Sequence, residues 1–403
     1  MTGPRFRTFL GKHVHMGVTG SIAAYKALDF LRMLQDSGAR VSVSLSEAAT
    51  RFITPLAFEA LGGDPVFCSM FDRNQASYGH LYPAQNADTL VVAPATANIL
   101  AKTAQGIADD LLSCQALAFC NPIVFAPAMN VRMWRAPVTQ ANVATLRDRG
   151  HFMVGPDSGS LACGEEGEGR LADLESIYYA VLRQLSPQDM AGKTVLVTLG
   201  PTREYWDGIR FWSNPSSGFM GLSLAIAAWL RGADVIAVHG PLDFDVPVFL
   251  QALPVTSAQE MCDACMVVSA RCDIACFTAA VADMAPEYQG AEKQKKEKHG
   301  QAFTLPFTST PDVAVSFGQQ KRQDQHSIIF AAETSQVESF AANKLEKKNA
   351  DLVVGNLVNE PGSGFGVATN TVHVRDRMGR CEYWPNLPKP EVAWRIWDWL
   401  ALL

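Results

Sequence analysis

A short β-branched run that stops at a glycine turn occurs twice in this chain of 403 residues. Residues His13–Leu28 read HVHMGVTGSIAAYKAL, and residues Lys193–Asp207 read KTVLVTLGPTREYWD. A strand ending in a glycine turn leaves backbone N–H groups free to face an anion, above all where a helix starts directly after it. Two such openings, about one domain length apart, predict two α/β units that each hold a phosphorylated ligand. The length agrees, because a chain of this size exceeds one ordinary hydrophobic core.

The segments between the two openings alternate in period. Val14–Thr19 and Val41–Leu45 predict strands, and Ile22–Asp36 between them carries apolar residues at helical spacing. Thr89–Ala93 and Ile123–Ala126 are continuous apolar runs of the kind buried in parallel sheets. Helical patterns at Ala97–Ala104, Asp109–Phe119 and Pro137–Arg149 separate or follow them. Val154–Leu171 reads as a glycine-rich loop, Leu174–Gln184 as a helix and Ser186–Gly192 as a linker. Beyond it, strands are expected at Val195–Leu199, Val235–Val238, Ile274–Thr278, Ile328–Ala331 and Leu352–Val354, with a helix over Gly218–Leu230. The C-terminal VAWRIWDWLALL reads as a docked amphipathic helix whose tryptophans are packing groups. The fold class expected is α/β, two doubly wound Rossmann-like or flavodoxin-like three-layer domains, over residues 1–187 and 188–403.

Composition removes several functions. Hydrophobic residues make up 48% and the net charge is −6, which suits globular cores and argues against nucleic-acid binding. No run approaches a membrane span and the N-terminus lacks a signal-peptide core, so a cytoplasmic protein is expected. The nine cysteines are odd in number and scattered, which suits reduced thiols. Cys262, Cys265, Cys272 and Cys276 have partly zinc-like spacing, but core packing of small apolar side chains is the reading preferred.

In the first half, Gly17-Val-Thr-Gly20-Ser21-Ile22 departs from G-x-G-x-x-G, and the second strand ends at Ser46, with Glu47 next, where a classical dinucleotide fold ends it in a ribose-binding acid. That disfavours a nicotinamide dehydrogenase and suits a mononucleotide. Ala93–Asn98 and Ala126–Asn130 are loops of small residues ending in an amide at successive strand ends, which points to one crevice. The set VTGSIAAYKAL, SEAATRFITPLAFEALGG, GHLYPAQNADTLVVAPATANILAKTAQGIADDLL, PAMNVRMW and LACGEEGEGRL resembles the homo-oligomeric flavin-containing cysteine decarboxylases. The resemblance implies FMN held by Gly20, Ser21, Ile22, Ser46 and Thr96, and a site between protomers of a trimer. It implies that His80 acts in the oxidative half-reaction, Asn130 holds the substrate carboxylate and Cys163, on the glycine-rich loop, protonates the enethiol.

In the second half, Ser213–Gly221 places hydroxyls and glycines before an apolar helix. A single carboxylate, Asp283, ends a strand, and Lys293-Gln-Lys-Lys follows in an otherwise acidic chain. Lys344 and Lys348 share one helix face. The motifs GPTRE, NPSSGFMG, AAVADMAP, KQKK, TPDV, FAAET and KKNADLVVGN resemble the phosphopantothenate–cysteine ligases of the bacterial CTP-using type. The resemblance implies a dimer, Mg²⁺, and CTP contacts at Ala279, Asp283, Lys293, Pro311, Asp312, Val313, Ala314, Phe330, Lys344 and Lys348, with Asn214 on an acyl-cytidylate. Phe219 stands where that family has lysine and Gln294 where it has an apolar residue; spacing alone does not separate CTP from ATP.

Together these readings imply an enzyme of coenzyme A biosynthesis. It would ligate 4′-phosphopantothenate to L-cysteine with CTP and decarboxylate the product with FMN to 4′-phosphopantetheine. The alternatives are a decarboxylase with a degenerate ligase half, or a flavin-binding regulatory subunit. Small-molecule substrates, a homo-oligomer, and neither nucleic acid nor membrane are the partners expected.

Overall fold

The computed structural model describes residues 3–71, 78–160, 164–295, 303–333, 343–357, 362–364 and 366–402. Two compact units are present, one spanning Arg5–Ser186 and the other built from Pro187–Leu403.

In the first unit, strands β1 (His13–Val18), β2 (Arg40–Leu45), β3 (Val66–Phe67), β4 (Thr89–Ala95), β5 (Ile123–Pro127) and β6 (Phe152–Met153) form a parallel sheet of order β3-β2-β1-β4-β5-β6. β1, β4 and β5 are buried along their whole length, as their continuous apolar runs require. The order reverses at β1, whose neighbours are β2 and β4, so the crevice for a ligand opens beyond the carboxyl ends of β1 and β4. Two histidines interrupt the apolar face of β1 and are satisfied from β2. His13 Nε2 and His15 Nδ1 share Ser42 Oγ at 2.8 and 2.7 Å, and His15 Nε2 meets Ser44 Oγ at 2.9 Å. Burial pushes His15 down to about 3, so the ring is neutral.

Two elements of the first unit differ from the sequence expectation. The first helix opens as a 3₁₀ turn, Ile22–Tyr25, capped by Ser21, and becomes α-helical over Lys26–Asp36. The stretch read as a glycine-rich loop is a hairpin of β7 (Asp157–Ser160) and β8 (Glu166–Arg170). Its alternating Gly and Glu hide the strand pattern, but Gly169 lets β8 lie against the β5 exit. A Cβ there would stand 2.3 Å from the Met129 carbonyl oxygen, which is close to where Met129 N donates to Gly169 O at 2.9 Å.

In the second unit, β9 (Thr194–Leu199), β12 (Asp234–His239), β13 (Gln251–Pro254), β14 (Ile274–Phe277), β17 (His326–Glu333) and β18 (Leu352–Leu357) run parallel, and β19 (Thr369–Asp376) and β20 (Cys381–Pro388) extend the sheet antiparallel. The order is β13-β12-β9-β14-β17-β18-β19-β20. Two small ribbons stand outside it, β10 (Glu204–Tyr205) with β11 (Phe211–Trp212) and β15 (Met284–Pro286) with β16 (Phe307–Ser309). The helix Phe219–Leu230 is apolar almost all round because it is covered on both sides. It rests on the sheet and is roofed by the helix Lys389–Leu400, whose Trp397 Nε1 donates to Leu224 O at 3.1 Å. Trp399 Nε1 donates to Asp376 Oδ2 at 3.0 Å, so these tryptophans are packing groups.

Cys262, Cys265, Cys272 and Cys276 are all buried, and burial pushes the thiols of Cys265, Cys272 and Cys276 up, Cys272 to about 11. Cys262, Cys265 and Cys272 belong to one apolar core cluster. Among the described residues no group of His, Cys, Asp and Glu side chains is placed to hold a metal ion. Among them, too, no helix is long and apolar enough to cross a membrane.

Candidate functional sites at the two sheet ends

The crevice of the first unit is assembled by short-range bonds between strand exits. Thr19, directly after β1, donates from Oγ1 to Pro94 O at 2.7 Å and accepts from Thr96 N at 3.0 Å. This clamps the β1 and β4 exits side by side. Gly20 follows, and any side chain there would collide with the β2 exit, since a Cβ would lie 2.4 Å from Ala48 Cβ. Ser21 Oγ accepts from Ala23 N at 3.3 Å and Ser46 Oγ from Ala49 N at 3.2 Å. Ile22, next to these hydroxyls, is exposed. The donors are backbone N–H groups and hydroxyls beside an exposed aliphatic side chain. That set fits a phosphate joined to a neutral aromatic ring, as in FMN.

Asn130 caps the helix Val131–Arg135 at the exit of β5. Its Oδ1 accepts from Arg132 N at 2.8 Å and its Nδ2 donates to Glu165 Oε2 at 2.7 Å, while Arg132 Nη2 pairs with Glu165 Oε1 at 2.8 Å. A carboxylate from the hairpin thus already sits on Asn130. Gly20, Ser21, Ile22, Ser46, Thr96 and Asn130 all belong to strand exits at one end of the sheet. His80 is half-buried; its ring lies edge-on to Tyr78 with centroids 6.4 Å apart, and Gln115 Nε2 donates to the carbonyl of the preceding Gly79 at 2.9 Å. Cys163 lies outside the described residues.

The second unit holds a cleft of ≈ 330 Å³ over the carboxyl ends of β9, β14, β17 and β18. Gly221 brings the first turn of the helix Phe219–Leu230 onto two strand exits; a Cβ there would stand 2.4 Å from Thr278 Oγ1 and 2.5 Å from Leu199 Cβ. Gly218, at φ 74°, turns the chain into that helix, and Ser216, Ser217 and Gly218 line the cleft at its start. Asn214 is fixed by donating from Nδ2 to Val281 O at 2.8 Å. Asp312 caps the helix Val313–Gln320 through Val315 N at 3.1 Å and also receives Lys348 Nζ at 3.0 Å. Ala279, Asp283, Pro311, Asp312, Val313, Ala314, Phe330, Lys344 and Lys348 all line this one cleft with Asn214.

Lys293 is exposed and is not part of the lining. Its neighbour Gln294 anchors the segment: Gln294 N donates to Asp207 Oδ2 at 3.1 Å, Arg210 Nη1 to Gln294 O at 3.2 Å, and Gln294 Nε2 to Gln289 O at 3.2 Å. The amide at this position therefore makes a bond that an apolar side chain could not. Phe219, the first residue of its helix, lines the cleft where a lysine was expected. Sequence reasoning missed Asn356, Asn370 and Lys389, which line the cleft at the β18, β19 and β20 ends. The only signal was a lysine opening an apolar, tryptophan-rich helix.

Comparison with known proteins divides the chain in the same places. Residues 6–186 match the Flavoprotein family, and residues 190–403 match the DNA/pantothenate metabolism flavoprotein C-terminal domain. The coenzyme A biosynthesis bifunctional protein CoaBC of Vibrio vulnificus (strain YJ016) is 40% identical over 381 residues, 94% of this chain and 93% of its own. A crystal structure of the C-terminal domain of a coenzyme A biosynthesis bifunctional protein CoaBC is 35% identical, covering 53% of this chain and 95% of that one, with a TM-score of 0.45. The FMN-dependent cysteine decarboxylase SpaF is 30% identical, covering 43% of this chain and 99% of that one, with a TM-score of 0.38. With two family matches in tandem and a relative matched along nearly its whole length, the chain belongs to the family of bifunctional coenzyme A biosynthesis proteins.

Proposed function

We propose that the second unit, residues 188–403, joins 4′-phosphopantothenate to L-cysteine with CTP, and that the first, residues 1–187, decarboxylates the product with FMN to 4′-phosphopantetheine. The chain is a bifunctional enzyme of coenzyme A biosynthesis with a decarboxylase and a ligase activity. One observation carries the division of labour: Asn214, Asp283, Asp312 and Lys348 meet in one cleft, while Gly20, Ser46, Thr96 and Asn130 share the strand ends of the other unit.

In the ligase cleft, the start of the helix Phe219–Leu230 and the lysines offset phosphate charge as it grows on pyrophosphate departure. Asn214 is fixed for a contact to the acyl-cytidylate, and the amine of cysteine then attacks the acyl carbon and expels CMP. A Mg²⁺ ion would be held by the triphosphate together with the carboxylates that line the cleft, Asp283 and Asp312.

In the decarboxylase crevice, bound FMN supplies the two-electron oxidation of the thiol-bearing carbon and the final reduction. The residues do the rest. Asn130 Nδ2 exchanges the Glu165 carboxylate for that of the substrate, and Cys163 supplies the proton to the enethiol. His80 acts in the oxidative half-reaction at a site formed between protomers of a trimer; the ligase units pair as dimers.

The test supplies one purified preparation with 4′-phosphopantothenate, cysteine, CTP and Mg²⁺ and follows pyrophosphate, CMP and CO₂. The reading expects a yellow protein, CMP and pyrophosphate in equal amounts, and CO₂ after them. CMP formation by the wild type removes the degenerate-ligase alternative. A colourless, folded protein that releases no CO₂ from supplied 4′-phosphopantothenoylcysteine would end the decarboxylase assignment.

A further inference from the structure

Lys389 has the environment of a binding residue rather than a packing one. It is 4% exposed, and its Nζ donates to Gly364 O at 3.1 Å. Among the described residues that carbonyl is its only partner and no carboxylate pairs with it. Lys321 and Arg231 in the same unit show what a structural cation looks like at similar depth. Lys321 Nζ meets Asp351 Oδ2 at 2.8 Å, and Arg231 is held by Asp189 and Asp398. A buried ammonium left without an acid is expensive, and burial pushes Lys389 down to about 8.

Its surroundings are prepared for a ligand. Asn370, 2% exposed, accepts at Oδ1 from Ser363 Oγ at 3.0 Å and Gly364 N at 3.3 Å, so its NH₂ group is left without a partner among the described residues. Both side chains line the cleft that also holds Ser216, Ser217 and the start of the helix Phe219–Leu230. Lys348, by contrast, already has its charge offset by Asp312.

We propose that Lys389, with the Asn370 amide, is an anion-binding subsite of this cleft that receives a phosphoryl group of a phosphate-bearing substrate. The inference rests on the cleft being the ligase site. Two substrates of that reaction carry phosphoryl groups, the nucleoside triphosphate and 4′-phosphopantothenate, and both share the chemistry that an ammonium and an amide N–H recognise.

The experiment compares the full-length wild type with Lys389→Met and Lys389→Arg. Calorimetric titrations use pyrophosphate, Mg·CTP and 4′-phosphopantothenate separately. Lys389→Met is expected to weaken pyrophosphate at least tenfold, and the substrate weakened alongside it identifies the source of the phosphoryl group. Lys389→Arg should restore part of the loss. CO₂ release from supplied 4′-phosphopantothenoylcysteine should be unchanged, which reports a folded chain. The ligand-free melting temperature of Lys389→Met should equal or exceed the wild-type value, because an unpaired buried charge has been removed; a structural lysine would lower it. Unchanged affinity for all three ligands, or a lowered melting temperature with unchanged affinity, overturns the proposal. A wild type that binds pyrophosphate but not CTP would remove the nucleotide reading of the cleft and leave the subsite standing if Lys389→Met still loses pyrophosphate.

Discussion

The two strand-end sites are built on the same sheet logic and from opposite materials. In the first unit, Thr19, Gly20, Ser21, Ser46 and Thr96 offer hydroxyls and backbone, held by bonds between neighbouring exits. In the second, Asp283, Asp312, Lys344, Lys348 and Lys389 bring charge into a cleft of ≈ 330 Å³. A neutral, tightly clamped cradle suits a cofactor that stays bound through turnover. A charged cleft suits substrates that arrive with several negative charges and leave as pyrophosphate and CMP. The architecture differs accordingly: the first sheet is wholly parallel, whereas β19 and β20 extend the second and bring Asn370 and Lys389 to its ligand end.

Gly20 is where the first crevice is most sensitive to substitution. In Gly20→Val the side chain would drive into Ala48, an overpacking of the kind that costs about 1–3 kcal/mol. The expected result is loss of bound flavin absorbance and at least ~100-fold slower CO₂ release, an effect on the order of 2.7 kcal/mol at the barrier. CTP-dependent pyrophosphate release should continue; if flavin stays bound, the clamped-exit account of the first crevice is wrong.

In the charged cleft, Lys348→Ala removes one cation and leaves Asp312 without its ion-pair partner. Nucleotide affinity should fall about tenfold, or ~1.4 kcal/mol, in calorimetry, with flavin content unaltered. An affinity equal to wild type would remove Lys348 from the site.

Acid should also separate the two units. Burial lowers His13, His15 and His151, and all three lie in the first unit. Unfolded histidines take up protons below about 6.5, whereas folded His15 does so only near 3. Stability from neutral His15 is therefore complete above pH 6.5 and is lost as pH falls through the interval down to about 3, at up to ~1.4 kcal/mol per pH unit. Thermal release of flavin, followed by its fluorescence from pH 7.5 to pH 5, should move to lower temperature on acidification. A release temperature independent of pH would contradict the buried neutral pair. The smallest effect is expected of Phe219→Lys, which adds a cation at the mouth of the helix and should tighten CTP by about threefold, within the ~1 kcal/mol typical of partly exposed charges.

What was legible in the sequence follows how each element is buried. β1, β4, β5, β9 and β14 are buried strands of parallel sheets, and continuous apolar runs announce them. The β7–β8 hairpin alternates glycine with glutamate and serine and has no apolar face to read. β20 is an edge strand, largely exposed, and Pro385 breaks its pattern. The small-residue loops at Gly20 and Asn130 were legible because strand exits in doubly wound sheets are where ligands sit. Lys389 was not, because its burial depends on β19 and β20 folding over the sheet end, a tertiary event that leaves a lysine looking like any other at the start of a helix.

Charge in one unit and neutral clamping in the other would divide two consecutive reactions between them. The direct measurement supplies carboxyl-labelled cysteine and 4′-phosphopantothenate to the intact protein, with and without CTP, and counts labelled CO₂ against pyrophosphate. The account predicts one CO₂ per pyrophosphate with CTP, none without it, and CTP-independent CO₂ once 4′-phosphopantothenoylcysteine is supplied instead. Labelled CO₂ from cysteine in the absence of any nucleotide, or decarboxylation of the supplied intermediate that still required CTP, would contradict it.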